Sequence, residues 1–292
     1  GPVCLRDVAF KLAPRLNAAG RLGQSRAALE LLLTEDRDQA RHLARHLDRL
    51  NKERQVAQAA ILEAAEHQIH QHGFQDRPAL VLAAEGWHAG IIGIVAAKLV
   101  KRHHRPVALV THENGRGRGS ARSVPSFDLF AGLVACQSAL LQFGGHPAAA
   151  GFTLEMANLG VFREAFEEVV SASLGEAPGL PDLTLDAQVQ LSDLDGDFFD
   201  HLHRLRPFGA GNPPPVLACL EAQLIDSWVV GSKHLKLKLA QNGRIMTAIA
   251  FDQGALHPLR GNFAVAFSPR VNFYQGRLQP ELMVLDLGSA PG

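Results

Sequence analysis

The chain has 292 residues, 47% of them hydrophobic and 20% charged, and its 29 Lys and Arg cancel its 29 Asp and Glu. That length exceeds one small core and predicts two or three domains in an ordinary globular protein. No run approaches a membrane span and no signal-peptide pattern opens the chain, so a cytoplasmic protein with no membrane partner is expected.

Cys4, Cys136 and Cys219 lie far apart without metal-ligand spacing and are expected reduced, in or near cores. The zero net charge is assembled from unlike blocks. Residues 98–122 hold seven Lys or Arg against Glu113, and residues 231–280 hold seven against Asp252. Between them, residues 155–200 hold eleven acids and a single base, Arg163. Such segregation can build a basic surface for a polyanion on a neutral protein, although solvated faces also look uneven in sequence.

In chain order, Gly1-Pro2 reads as a cleavage scar or as native residues. Residues 12–22 contain Pro14, Asn17 and Gly20 but few solvating side chains, and read as an apolar loop packed against something. From it Arg21 would present a planar guanidinium, a shape suited to phosphate and equally to a nearby carboxylate or carbonyl. A compact apolar helix follows over 25–34. A long amphipathic helix over 35–72 carries Leu43, Leu47, Leu50, Ala57, Ile61 and Leu62 at helical spacing and looks like a connector between domains. His42 and His46, then His67, His70 and His72, raise a metal site, but no carboxylate or cysteine joins them at matching geometry.

From Arg77 strands and helices alternate, as in a small α/β domain. Strands are predicted over 78–84, 106–111, 115–123 and from Ala149, and helices over 91–101, 127–141 and 159–174, with Pro178, Gly179 and Pro181 ending the domain. Strand alternation over 115–123 puts Arg116, Arg118, Ser120 and Arg122 on one face and small residues on the other, a phosphate-binding face. Trp87 and His88 stand at a strand-to-helix turn, where a helix N-terminus favours anions and an exposed Trp could stack on a base; a core Trp fits as well. Phe143-Gly144-Gly145-His146-Pro147 reads as a helix-to-strand corner with a ligand loop, its backbone amides and imidazole suited to a phosphate oxygen. A tight turn capped by histidine satisfies the same residues.

Residues 183–287 are mostly strand-like after an acidic helical piece over 194–205. Short strands over 222–230, 234–239, 244–251, 262–273 and 278–287 predict a small barrel of OB type. Lys233, Lys236, Lys238 and Arg244 fall beside Trp228, Phe251, Phe273 and Tyr274, a mixture that fits a single-strand groove or, equally, core aromatics with solvated lysines.

Five motifs in order, Asn17-Ala18-Ala19-Gly20-Arg21-Leu22, Gly86-Trp87-His88-Ala89-Gly90-Ile91-Ile92-Gly93, Gly119-Ser120-Ala121-Arg122-Ser123, Gly144-Gly145-His146 and Arg206-Pro207-Phe208-Gly209-Ala210-Gly211-Asn212-Pro213, resemble those of the RecJ family of single-stranded-DNA exonucleases in the DHH phosphoesterase superfamily. The resemblance implies a helical connector over 1–74, a DHH-associated α/β domain over 75–178 and an OB domain over 179–292. It also implies phosphate ligation by Arg21, Ser120, Arg122, His146 and the amides of Gly144 and Gly145. Weaker nucleic-acid contacts are expected from Arg116, Arg118, Trp87, His88, Lys233, Lys236, Lys238 and Tyr274. The family's Asp-His-His motif and paired aspartates are absent from this sequence. No catalytic or metal-binding residue is therefore expected in this chain, and manganese or magnesium is expected in the DHH domain.

The expected function is the C-terminal, substrate-binding part of a 5′-to-3′ single-stranded-DNA exonuclease of repair and recombination, inactive alone. Its expected partners are single-stranded DNA, the DHH catalytic domain and a single-strand-binding protein. Two alternatives are a non-catalytic DNA-binding or scaffold protein and a hydrolase of short oligonucleotides, the latter disfavoured by the OB domain.

Overall fold

The computed structural model describes residues 7–175, 182–209, 211–274 and 277–289; the side chains of 273, 274, 277 and 278 lie outside that description, as do Gly1-Pro2, Cys4 and the boundary residues Pro178, Gly179 and Pro181. The chain forms two compact units, Gly1–Pro181 and Asp182–Gly292.

After a π-helical stretch at Val8–Leu12, the first unit continues with three α-helices: α1 (Ala13–Arg21), α2 (Ser25–Leu33) and α3 (Arg37–Gln71). The loop expected over 12–22 is thus a helix. Pro14 falls in the first turn of α1, at its junction with the π-helical stretch, so it lies within a continuous helical run without breaking it. The N-cap of α3 is Asp36, whose carboxylate accepts from the amide of Asp38 at 2.8 Å. The apolar stripe of α3 buries Leu43, Leu47, Leu50 and Ile61, with Ala57 and Leu62 half-buried. Leu47 and Leu50 pack on Ala19 of α1, and burying such leucines is worth roughly 1.5–3 kcal/mol each.

A five-stranded mixed sheet follows in the order β1-β2-β3-β5-β4, from β1 (Leu80–Glu85), β2 (Val107–Glu113), β3 (Arg116–Arg122), β4 (Gln142–His146) and β5 (Ala149–Glu155). β1 and β2 are parallel, joined through α4 (Ala89–His103), and the other pairs are antiparallel. Continuous apolar runs, Leu80 to Leu82 and Val107 to Val110, suit strands covered on both faces. One face packs on α3 and α4 through Ile61, Ile69, Ile91, Val95 and Leu99. The other packs on α5 (Leu129–Ala135) and α6 (Leu159–Leu174) through Leu133, Phe162, Phe166 and Val170. The helix expected over 127–141 is cut to α5 and a 3-10 turn at Gln137–Ala139, and the remaining residues supply β4. Burial pushes the Cys136 thiol up to about 11, so it is an inert core group.

In the second unit β6 (Ala187–Gln188) and α7 (Gly196–Arg204) precede β7 (Leu217–Val230), β8 (His234–Gln241), β9 (Arg244–Ala250), β10 (Asn262–Tyr274) and β11 (Arg277–Ser289). The last five close into a barrel, because β10 pairs with β7 as well as with β11 while β11 runs parallel to β9. That is OB-type closure, and it leaves the barrel strands without a free edge. Leu235, Leu237 and Leu239 point inward with Phe267 and Leu282, and Phe199 and Leu202 of α7 join the same core. Among the described residues no helix is long and apolar enough to cross a membrane.

Candidate nucleic-acid interface

The site is built on β3. Its side chains alternate as expected: Gly117, Gly119 and Ala121 are buried, while Arg116, Arg118, Ser120 and Arg122 share the opposite face. A Cβ on Gly119 would collide with the Phe152 ring, so glycine there lets the sheet close on its core. Arg122 donates to Ser120 Oγ at 3.1 Å and to the Ala121 carbonyl at 2.7 Å.

Register carries this face across three strands. Arg122, Ala149 and His146 form one row, and Ser120, Gly151 and Gly144 form the next. With strands about 4.8 Å apart, β3 and β4 flank a floor about 10 Å wide that Gly151 leaves free of side chain. The Gly144-Gly145-His146 segment is therefore the edge strand β4 rather than a loop at a corner. Its pairing with β5 decides this, and the turn sits one step later at Pro147 and Ala148. A Cβ on Gly145 would strike the backbone of Ala149 and Ala150, whereas one on Gly144 would meet open space. His146 Nδ1 accepts from the Ala148 amide at 3.3 Å, which leaves Nε2 as the outward donor of the neutral ring.

The N-terminus of α4 closes the other side. His88 is its N-cap, with Nδ1 accepting from the Gly90 amide at 3.1 Å, so Nε2 again faces out. Two glycines let α4 approach: a Cβ on Gly93 would lie 2.8 Å from both Arg122 Nη2 and Ser120 Oγ, and one on Gly90 would collide with the Arg21 carbonyl. Arg21 Nη1 donates to the Gly90 carbonyl at 3.2 Å. The fold thus brings Arg21, at the end of α1, to the helix N-terminus that faces Ser120 and Arg122. Burial first, and then the Arg21 charge, hold the Arg122 guanidinium below its ordinary range; these cations are crowded, not neutralised.

Concavities of about 360, 400 and 730 Å³ adjoin here, and Ala89 and Arg118 line all three. Arg118 makes no ion pair among the described residues, whereas Arg116 sits 3.4 Å from Glu155, at the far end of the strand. Trp87 is 9% exposed and packs in the core beside Leu82 and Ile91. It is an anchor under the α4 turn, and the expectation of an exposed stacking ring is corrected.

In the second unit Lys236 and Lys238 face outward from β8, alternating with its inward leucines. Lys236 does not stand free: it ion-pairs with Glu281, 2% exposed, which also accepts from Arg270 Nε at 2.9 Å. Burial alone would raise the Glu281 carboxyl, but the hydrogen bonds from Lys236 and Arg270 outweigh it and hold the group below the usual range. Lys233 is paired with Asp252 at 3.1 Å. Lys236 is thus a structural cation and Lys233 a partly compensated one, because the barrel supplies them with carboxylates. Lys238 has no ion pair among the described residues. Arg270 lies 5.4 Å over the Phe251 ring, and Phe251 and Trp228 are 43% and 38% exposed. Tyr274 ends β10, its side chain outside the described residues.

Among the described residues no group of three or more His, Cys, Asp or Glu is placed to hold a metal ion. His46 instead hydrogen-bonds Gln24, and His70 bonds Gln75. The donor set does not fit the manganese or magnesium expected for the DHH domain, and no chemical step is assigned to a metal here. One cation escaped the sequence reading: Arg54 of α3, on that helix's apolar side, donates to Asn51 and Gln58, both buried. Its signal was a polar triplet interrupting an apolar stripe.

The DHHA1 domain family matches residues 76–172 and the RecJ OB domain family residues 185–286. The single-stranded-DNA-specific exonuclease RecJ of Bacillus subtilis is 35% identical over 286 residues, which span 96% of this chain and 36% of that protein. RecJ of Thermus thermophilus is 33% identical over 287 residues, 96% of this chain and 40% of that protein. Crystal structures of Thermus thermophilus RecJ with Mg2+ and with Mn2+ each superpose at a TM-score of 0.82, with 30% and 31% identity; each match covers 98% of this chain and 44% or 42% of that one. The chain spans about a third to a half of the length of the curated relatives it matches. Carrying a DHHA1 domain followed by a RecJ OB domain, the chain is homologous to the RecJ single-stranded-DNA exonucleases.

Proposed function

We propose that this chain is the substrate-binding part of a 5′-to-3′ single-stranded-DNA exonuclease used in repair and recombination. In this reading Arg21, Ser120, Arg122 and His146, with the amides of Gly144 and Gly145, hold a phosphate of the strand. Arg118 and His88 stand beside it, and the barrel holds the backbone further along through Lys238 and exposed aromatic rings. Hydrolysis belongs to a DHH domain with its divalent ions, and the protein works in the cytoplasm with single-stranded DNA as its partner.

The observation that carries the reading is the meeting of Arg21, Ser120 and Arg122 at the N-terminus of α4, made possible by Gly90 and Gly93. Cations held by neutral acceptors at a helix N-terminus form a site that is incomplete without an anion. The test is titration of fluorescent oligo-dT with this chain at several salt concentrations, together with a degradation assay in manganese. Affinity that falls steeply with salt, without cleavage, supports the reading. Salt-independent or absent binding refutes it, and metal-dependent cleavage by this chain refutes the assignment of hydrolysis elsewhere.

A further inference from the structure

Several arginines of the first unit are held by neutral acceptors, Arg105 and Arg163 on backbone carbonyls among them. Arg21 donates to the Gly90 carbonyl at 3.2 Å, Arg122 to Ser120 Oγ and the Ala121 carbonyl, and Arg54 to Asn51 Oδ1 and Gln58 Oε1, both at 2.7 Å. Arg15, Arg77 and Arg102 in the same unit are instead tied to Asp48, Glu167 and Glu66. A guanidinium paired with a carboxylate has spent its charge, whereas one held by amides keeps it for another anion.

Arg54 is also built into position. Asn51 and Gln58 are only 5% and 6% exposed, and burying two amides is costly unless they are hydrogen-bonded. Arg54 lies one turn beyond Leu50, which packs on Ala19 of α1, and Ala19 is two residues before Arg21. The placement is mirrored electrostatically: Arg54 is held below its ordinary range by burial first and by the Arg21 charge second, as Arg122 is. The Arg21 charge thus bears on both Arg54 and Arg122, and among the described residues no carboxylate hydrogen-bonds to any of the three.

We infer that Arg54 is a third phosphate-binding guanidinium of the site formed by Arg21 and Arg122, positioned by Asn51 and Gln58 and engaging the backbone of a bound single strand. The inference rests on the phosphate-site reading above. It explains why α3 spends two buried amides on one cation, where leucines would pack at less cost.

The experiment measures binding of 5′-phosphorylated oligo-dT to this chain and its Arg54→Gln, Arg54→Lys, Gln58→Glu and Arg122→Gln variants, each checked for folding by its melting curve. Arg54→Gln should weaken binding by about 10-fold or more, the usual effect of losing a hydrogen bond to a charged group. Arg54→Lys should restore part of the loss. Gln58→Glu is the decisive variant: it leaves Arg54 held in place but hands it a carboxylate, so binding and salt slope should both fall, the slope by about one. Unchanged affinity and slope in a folded Gln58→Glu protein would overturn the inference, whether or not Arg54→Gln folds. If Arg122→Gln weakens binding while both changes at Arg54 and Gln58 do not, Arg54 alone is excluded. If Arg122→Gln also has no effect, the phosphate site itself fails.

Discussion

The cations of β3 and those of β8 look alike in sequence, each a run of basic residues at alternate positions. Their surroundings divide them. On β3, Arg122 is held by a hydroxyl and a carbonyl, and Arg118 has no ion pair among the described residues. On β8, Lys236 meets a buried carboxylate that also takes Arg270, so the barrel consumes that charge internally. A cation's availability to a polyanion thus depends on what lies across the sheet from it, and counting basic residues overstates the barrel's contribution.

The largest effect that would test this contrast is Glu281→Ala. Removing the shared anion strands two partly buried cations and should destabilise the barrel by about 3–5 kcal/mol. Urea unfolding followed by Trp228 fluorescence in a Trp87→Phe background would read it, and a loss below about 1 kcal/mol would place Lys236 among the free cations. The same triad has a pH signature. Because the folded Glu281 carboxyl titrates below its unfolded value, its stabilisation is complete above roughly pH 4.3 and is lost as pH falls through the folded value. Acid melts of the wild type should therefore converge on those of Glu281→Gln only in that low range.

Next in size is Arg122→Gln, which removes a charged donor from the β3 face. Binding of 5′-phosphorylated oligo-dT should weaken by about 10- to 100-fold, while the melting temperature of the barrel stays in place. Gly90→Ala follows. Its methyl would press on the Arg21 carbonyl, costing about 1–3 kcal/mol of stability through overpacking and displacing Arg21 from α4. A Gly90→Ala protein with unchanged stability and binding would show that the contact between α1 and α4 is not what assembles the site. The smallest change is Lys238→Gln, which should lower the salt slope of binding by about one while leaving stability unchanged; in Lys236→Gln, lost stability should precede any change in slope.

Much of the first unit was legible in sequence. The 16 residues of α6 and the alternating face of β3 follow from a local period, 3.6 or 2.0, that names the element and its inner side, and β1 and β2 follow from short unbroken apolar runs. The barrel was legible too, from five alternating runs separated by turn residues. Where reading failed, local signals were ambiguous. Pro14 and Gly20 are loop punctuation in most contexts but here lie at the two ends of α1. Gly144 and Gly145 look like a turn until β5 supplies the hydrogen-bonding partner that makes them an edge strand.

By itself the sequence determined most of the elements, the order of α/β and β units, and which side chains of β3 and β8 share a strand face, since these depend on neighbours one to four residues away. Only the tertiary structure decided which cations are free. Arg21 and Arg122 are 101 positions apart and meet because two glycines admit a helix between them, and Lys236 is spent because Glu281, 45 residues on, is buried beneath it. Electrostatic partnership is set by distance through space and by burial, and neither is encoded in local spacing.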